Sequence, residues 1–303
     1  MTALGVMLPI ADPVGTGTAD IPAAARHLER VGADVVWAGD HLAFHTPVVE
    51  ATVTLAMAAA VTERVRLGFG VMLLALRQPA WAAKQVSSLQ AVSGGRVVLG
   101  IGVGGENPEE WAAGGVPTQE RGQRSDAVLG ALPDLLSGRR ATVPAPYDLQ
   151  VPALLPTGGM PPVWIGGRSE RALRRAVRFG HGWLGMWGDE RRVLQAREQL
   201  HQLAEQENRP VPRVGLHVFV HVSEDDTGRD EAAAFVSGQY RLPFEKVERY
   251  VAVGTADEVT AHLAGLVASG VEELLLHPAA VDHHRQYDLL APVMARLRKG
   301  DLR

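Results

Sequence analysis

The chain has 303 residues, a formal net charge of −4, 46% hydrophobic and 21% charged residues, and no cysteine. These proportions suit a soluble globular protein with a sizeable core, and the acidic balance argues against a nucleic-acid or anionic-membrane partner. Without cysteine, disulfides and thiolate metal ligands are excluded, which leaves histidine and carboxylate sites. The opening "MTALGVMLPIADPVG" has neither a basic segment nor a long apolar run, so no signal peptide is expected and the reading is cytoplasmic. No apolar run approaches the roughly 20 residues of a membrane span.

Strands are expected at 4–9, 34–38, 65–72 and 97–102, with helices at 20–31, 47–61 and 79–92 between them. A helix over 118–137 follows, then "GRRATVPAPYDLQVPALLPTGGMPP", a Pro- and Gly-rich excursion before a fifth strand at 162–166. The second half alternates helices at 169–179, 189–206, 228–251 (broken), 256–268 and 285–298 with strands at 182–187, 214–222 and 271–276. "HLERVGADVVWAGD", "LQAVSGGRVVLGIG", "AVRFGHGWLGMW" and "GLVASGVEELLLHP" share one pattern, a helix closed by glycine and followed at once by an apolar strand. Uniformly apolar strands alternating with helices indicate a parallel sheet buried on both faces. Eight such units in one domain, 1–303, predict an α/β fold, the (β/α)8 TIM barrel. A doubly wound open sheet competes, but the first strand lacks the Gly-rich turn of a dinucleotide-binding unit.

In a (β/α)8 barrel the reactive groups sit where the strands end. Those ends carry Asp40 and His41, "GVMLLALRQP", "GIGVGGENPEEW", "GGRSE", "WGDE", His221 and His277. In "IGGRSERALRR", Gly166 and Gly167 let a ligand approach the backbone, Ser169 is placed to cap a helix, and Arg168 adds charge, which suits a phosphate. The alternative is a capped helix after a tight turn. The six glycines of "GIGVGGENPEEWAAGGVP" read as a platform for a flat ligand, with Glu106 as a candidate proton-transfer group. "HLAFH" invites a metal reading, but Pro47 interrupts it and no Glu follows the first His. His217 and His221 share one face of their strand, either lining the barrel or buried structurally, and Trp183 and Trp187 read as core. "GFGVM" places two glycines in an aliphatic strand, which predicts a bulge at Gly70–Val71–Met72.

Taken together, "VGADVVWAGDH", "VTERVRLGFGVMLLALRQPAWAAKQVSSLQAVSGGRVVLGIGVGGENPEEWAAGGVP", "ERGQRSD" and "PPVWIGGRSERALRRAVRFGHGWL" resemble the luciferase-like oxidoreductases. The likeness is dense over residues 30–185 and rests elsewhere on length and pattern. It implies a (β/α)8 barrel that binds FMN or the 5-deazaflavin coenzyme F420 at its C-terminal face, and "GVGGENPEEWAAGGV" looks more like the F420 branch. It further implies that Asp40 contacts the cofactor and that His41 sits beside the reactive ring carbon to transfer a proton. Gly70 and Val71 match the bulge behind the ring, where the family often has a non-proline cis peptide. Val103 and Gly104 match cofactor-contacting positions, and Gly166, Gly167 and Ser169, with Arg168, match the phosphate loop. Phe44 stands where relatives similar to the sugar-phosphate dehydrogenase have Trp, and Glu106 matches their acidic residue only if one residue is inserted. The C-terminal third has no obvious basic set for a phosphorylated sugar, which argues against that substrate. The implied activity is hydride transfer between F420 and a small organic substrate. The alternative is an FMN-dependent monooxygenase using reduced flavin and oxygen. A homodimer is expected.

Overall fold

β-branched and aliphatic runs bounded by glycine and aspartate pair edge to edge until the sheet meets itself. The computed structural model describes residues 2–17, 19–105, 107–224 and 228–300. Its strands are β1 (Ala3–Met7), β2 (Val35–Ala38), β3 (Arg66–Leu73), β4 (Val97–Gly102), β5 (Ala141–Val143), β6 (Leu149–Val151), β7 (Val163–Gly166), β8 (Gly182–Met186), β9 (Arg213–Val222), β10 (Val251–Gly254) and β11 (Glu273–Pro278). The parallel order β9-β11-β1-β2-β3-β4-β7-β8 closes because β8 also pairs with β9, from Gly182↔Arg213 to Met186↔His217. The result is a closed eight-stranded barrel, the expected fold. β9 is long enough to serve two partners: beyond the part that closes the barrel, Phe219–Val222 pairs with β10.

Ten helices are described around this barrel: α1 (Ile21–Arg30), α2 (Ala51–Val61), α3 (Pro79–Val92), α4 (Pro108–Ala113), α5 (Arg121–Leu135), α6 (Glu170–Phe179), α7 (Glu190–Gln206), α8 (Gly228–Tyr240), α9 (Ala256–Ala268) and α10 (His283–Lys299). The side chains of Asp20, Asp189 and Asp282 accept first-turn amides of α1, α7 and α10, and Thr255 with Glu258 forms a reciprocal capping box on α9. No described helix is long and apolar enough to cross a membrane.

Three local expectations need correction. The excursion before β7 holds the antiparallel hairpin β5–β6. The helix expected over 228–251 stops at Tyr240, because Pro243 cannot continue it, and after two 3-10 turns the chain re-enters the sheet as β10. α4 was not expected, and it starts where Asn107 accepts from the Glu109 amide and Pro108 takes the first helical position.

The barrel interior is packed around two indoles. Trp37 and Trp164 are buried among Met7, Val35, Val98, Leu184 and Leu275. Glycines on neighbouring strands make the room: a Cβ at Gly68 would lie 2.2 Å from Trp37, and one at Gly182 would lie 2.4 Å from Trp164. This filling gives the cleft at the C-terminal end a solid floor.

Candidate active site

The C-terminal strand ends surround one open cleft. It is lined by Gly39, Asp40, His41 and Phe44 after β2, Gly70 and Val71 in β3, and Gly102, Val103 and Gly104 at β4. Gly166, Gly167 and Arg168 follow β7, Met186 and Trp187 close β8, His217 and His277 come from β9 and β11, and Tyr240 ends α8. The sequence-predicted residues Asp40, His41, Gly70, Val71, Val103, Gly104, Gly166, Gly167 and Arg168 therefore meet on a single surface. Ser169 stands next to them as the α6 cap, its side chain accepting from the Ala172 amide. Glu106 lies outside the described residues.

His41 is held by a carboxylate that local sequence did not single out. Its Nδ1 is 3.1 Å from Glu110 Oε1, and the same oxygen accepts from the Leu42 amide at 2.8 Å. Glu110 is fully buried. α4 brings it there, and Asn107 Nδ2 donates to the Ala43 carbonyl at 3.1 Å, docking the helix start on the same loop. A carboxylate already accepting a backbone amide takes a proton-bearing Nδ1, which fixes the tautomer and leaves Nε2 as the nitrogen free to exchange protons. The His41 ring stacks on Phe44, centroids 4.0 Å apart.

Asp40 is buried and fully engaged. Oδ2 accepts from the Leu73 amide at 2.9 Å and Oδ1 from Arg77 Nη2 at 2.7 Å, while Arg77 also reaches Glu50 at 2.8 Å. Burial pushes the Asp40 carboxyl pKa up, and Arg77 and the Leu73 amide oppose that rise. The carboxylate thereby ties the tip of β2 to the exit of β3.

β3 is irregular where expected. Its register against β4 shifts between Phe69 and Met72, and the Gly70–Val71 peptide is cis. The Val71 side chain projects over bare backbone: a Cβ at Gly102 would come 2.4 Å from Val71 Cγ2.

The loop after β7 turns tightly at the edge of the cleft. Gly167 has φ +129°, and a Cβ there would lie 2.8 Å from the Ala172 Cβ. Trp183 Nε1 donates to the Gly167 carbonyl at 2.7 Å, which fixes the turn from behind. The N-terminus of α6 and Arg168 then face the cleft together, an arrangement that fits a phosphate group.

Trp187 is buried in a core cluster, as expected, and also borders the cleft. It stacks on Phe219 at 5.4 Å and meets the edge of Tyr240 at 5.5 Å. Of the two histidines expected on one face of β9, His217 reaches the cleft. His221 is buried, and its Nδ1 donates to the Ala279 carbonyl at 3.0 Å. No group of three or more histidine and carboxylate ligands could hold a metal ion among the described residues.

Three comparisons bear on identity. Curated mycobacterial relatives, among them an uncharacterized protein of Mycobacterium tuberculosis, are 38% identical over 145 residues, covering 47% of this chain and 50% of theirs. The chain thus spans about half the length of these relatives. An F420-dependent glucose-6-phosphate dehydrogenase of Kineococcus radiotolerans is 27% identical over 299 residues, 85% of this chain and 86% of its own. Two solved structures share the fold: an F420-dependent secondary alcohol dehydrogenase in complex with an F420–acetone adduct (TM-score 0.84, 15% identity, 98% of this chain and 99% of that one), and the FMN-bound oxygenating constituent of 3,6-diketocamphane monooxygenase from Pseudomonas putida (TM-score 0.78, 17% identity, 98% of each chain). Residues 2–246 match the luciferase-like monooxygenase family, and the chain belongs to that family.

Proposed function

We propose that this protein is an oxidoreductase that moves hydride between coenzyme F420 and a small organic substrate, with His41 passing the accompanying proton. The observation that carries this reading is the His41–Glu110 pair at 3.1 Å, which presents one exchangeable imidazole nitrogen in a cleft whose other end is the Gly166–Ser169 loop. The bound cofactor supplies the hydride chemistry, which no side chain can provide. The rest falls to the chain itself. Gly167, Arg168 and the start of α6 would hold the phosphate. Val71, Val103 and Gly104 would support the ring system. Asp40, committed to Leu73 and Arg77, holds the surface they form in place. His41 Nε2 gives a proton to the substrate oxygen on reduction and takes it back on oxidation, help of the kind worth typically ~10²–10⁴-fold.

F420 is favoured over FMN by the glucose-6-phosphate dehydrogenase relative, which aligns along 85% of this chain. The second reading, an FMN-dependent monooxygenase, draws on the FMN-bound structural neighbour. Titrating the purified protein with each cofactor, followed by absorbance, tests both. Tight F420 binding with no substrate-coupled oxygen uptake supports the first reading; preferential FMN binding with such uptake replaces it by the second.

A further inference from the structure

Next to His41 the cleft is built of rings that carry no charge. Tyr240 makes edge-on contacts with Phe44 at 5.6 Å and with Trp187 at 5.5 Å, so aromatic side chains from the β2 loop, the end of β8 and the end of α8 form one wall. Two further imidazoles line the same cleft, His217 Nε2 lying 3.0 Å from His277 Nδ1. Neither makes another hydrogen bond among the described residues. Burial holds both uncharged at neutral pH, pushing the His217 pKa down to about 3 and that of His277 well below its usual range. Two neutral imidazoles that share one N–H···N bond leave one outer N–H and one outer lone pair, whichever tautomer is taken. Of the ionic groups lining the cleft, Asp40 is paired with Arg77 and His41 with Glu110, and Arg168 follows β7, outside the aromatic wall itself.

We infer that this wall selects an uncharged ketone, aldehyde or alcohol with a flat cyclic or aromatic body, the body lying on Phe44, Trp187 and Tyr240 and the oxygen meeting neutral imidazole nitrogens. This rests on the oxidoreductase reading for the use of such an oxygen, but the selectivity follows from the wall alone. A carboxylate or phosphate placed here would be desolvated against three aromatic side chains, none of which supplies a countercharge, a heavy penalty. A carbonyl loses less, because the outer N–H of the imidazole pair can donate to its oxygen.

The test uses acetophenone and its charged relative 4-acetylbenzoate as probes, titrated into the cofactor-loaded protein by calorimetry. Acetophenone is expected to bind, and 4-acetylbenzoate to bind weaker by about tenfold or more. Trp187→Ala and Tyr240→Leu, two variants in case one fails to fold, should each weaken acetophenone about tenfold while leaving cofactor affinity near the parent value. Comparable binding of both probes, no binding of acetophenone at millimolar concentration, or indifference of acetophenone to both variants overturns the inference. Cofactor titration of the same samples keeps the two readings apart. Failure to bind either cofactor sinks the oxidoreductase assignment, while discrimination between the probes still reports on the wall.

Discussion

Glu273 opens β11 at the end of the barrel remote from the cleft. It is fully buried, and neither carboxylate oxygen has a hydrogen-bond partner. The nearest cation, Arg66 Nη2, is 3.7 Å away. Burial pushes its pKa up from 4.5 to about 7, a rise that Arg66 and Arg213 moderate and Asp34 reinforces. Because the folded-state pKa lies above the unfolded one, the folded chain binds more protons in this window, and stability falls as pH rises. At about 1.36 kcal/mol per pKa unit the full loss is about 3 kcal/mol, and the part lost between about pH 5.5 and about pH 8.5 is about 2 kcal/mol. An unfolding entropy of about 2.1 cal/mol/K per residue converts that part into a melting shift of about 3 °C for a chain of this length. Glu273→Gln keeps the shape and removes the titration. Thermal melts of parent and variant at the two pH values should show the variant gaining about 3 °C on the parent as pH rises. Any cost of the amide itself is independent of pH and cancels in that difference. A Tm difference that stays constant, or moves in the parent's favour with rising pH, refutes the reasoning.

Three further predictions concern the site. His41→Ala should lower turnover by at least ~10²-fold with cofactor affinity near the parent value, measured by steady-state rates and cofactor titration; near-normal turnover would make His41 a positioning residue only. Glu110→Ala leaves the Leu42 amide without its buried acceptor, so it should cost about 1–3 kcal/mol by denaturant unfolding and also lower turnover, and an unchanged rate would detach Glu110 from His41. Gly167→Val puts a branched side chain where even a Cβ would sit 2.8 Å from Ala172. It should weaken cofactor binding strongly in a fluorescence titration, and parent-like affinity would place the phosphate elsewhere.

The parts of the fold and site that were legible in the sequence are those with a local signature. Helix–glycine–strand repeats marked four of the barrel strands, β2, β4, β8 and β11, because each such unit must end a helix and bury a strand in a few residues; the other four were read as apolar runs between helices. Asp40, His41, the Gly70–Val71 bulge and the Gly166–Ser169 loop were legible because they sit at strand ends, where polar residues or glycines interrupt apolar runs. β10 escaped because its four residues, Val251–Gly254, carry too short a pattern to separate from the helix before them. The hairpin β5–β6 was hidden by the prolines that flank it. Glu110 escaped for another reason: its partner His41 is 69 residues away, and only the closure of the barrel brings α4 onto the β2 loop. Trp187 was read as core, which its burial bears out, but that it also borders the cleft was not legible, because an indole after a strand reads the same in either place.

Glycine shows the same limit from the other side. In the sequence, Gly68, Gly102 and Gly167 are alike: each ends or interrupts an apolar strand. In the structure, a Cβ at Gly68 would strike the Trp37 indole, one at Gly102 would strike Val71, and one at Gly167 would strike Ala172. The first makes room for the core, the second for the residue that floors the cleft, and the third for a turn whose positive φ an L side chain rarely adopts. Only Gly68 belongs wholly to stability. Replacing it by Ala should therefore destabilise the chain by about 1–3 kcal/mol, the usual cost of overpacking, and leave cofactor affinity in the folded fraction unchanged. A Gly68→Ala protein that melts with the parent would mean that Trp37 can move aside. The packed floor beneath the cleft would then be softer than the two indoles imply.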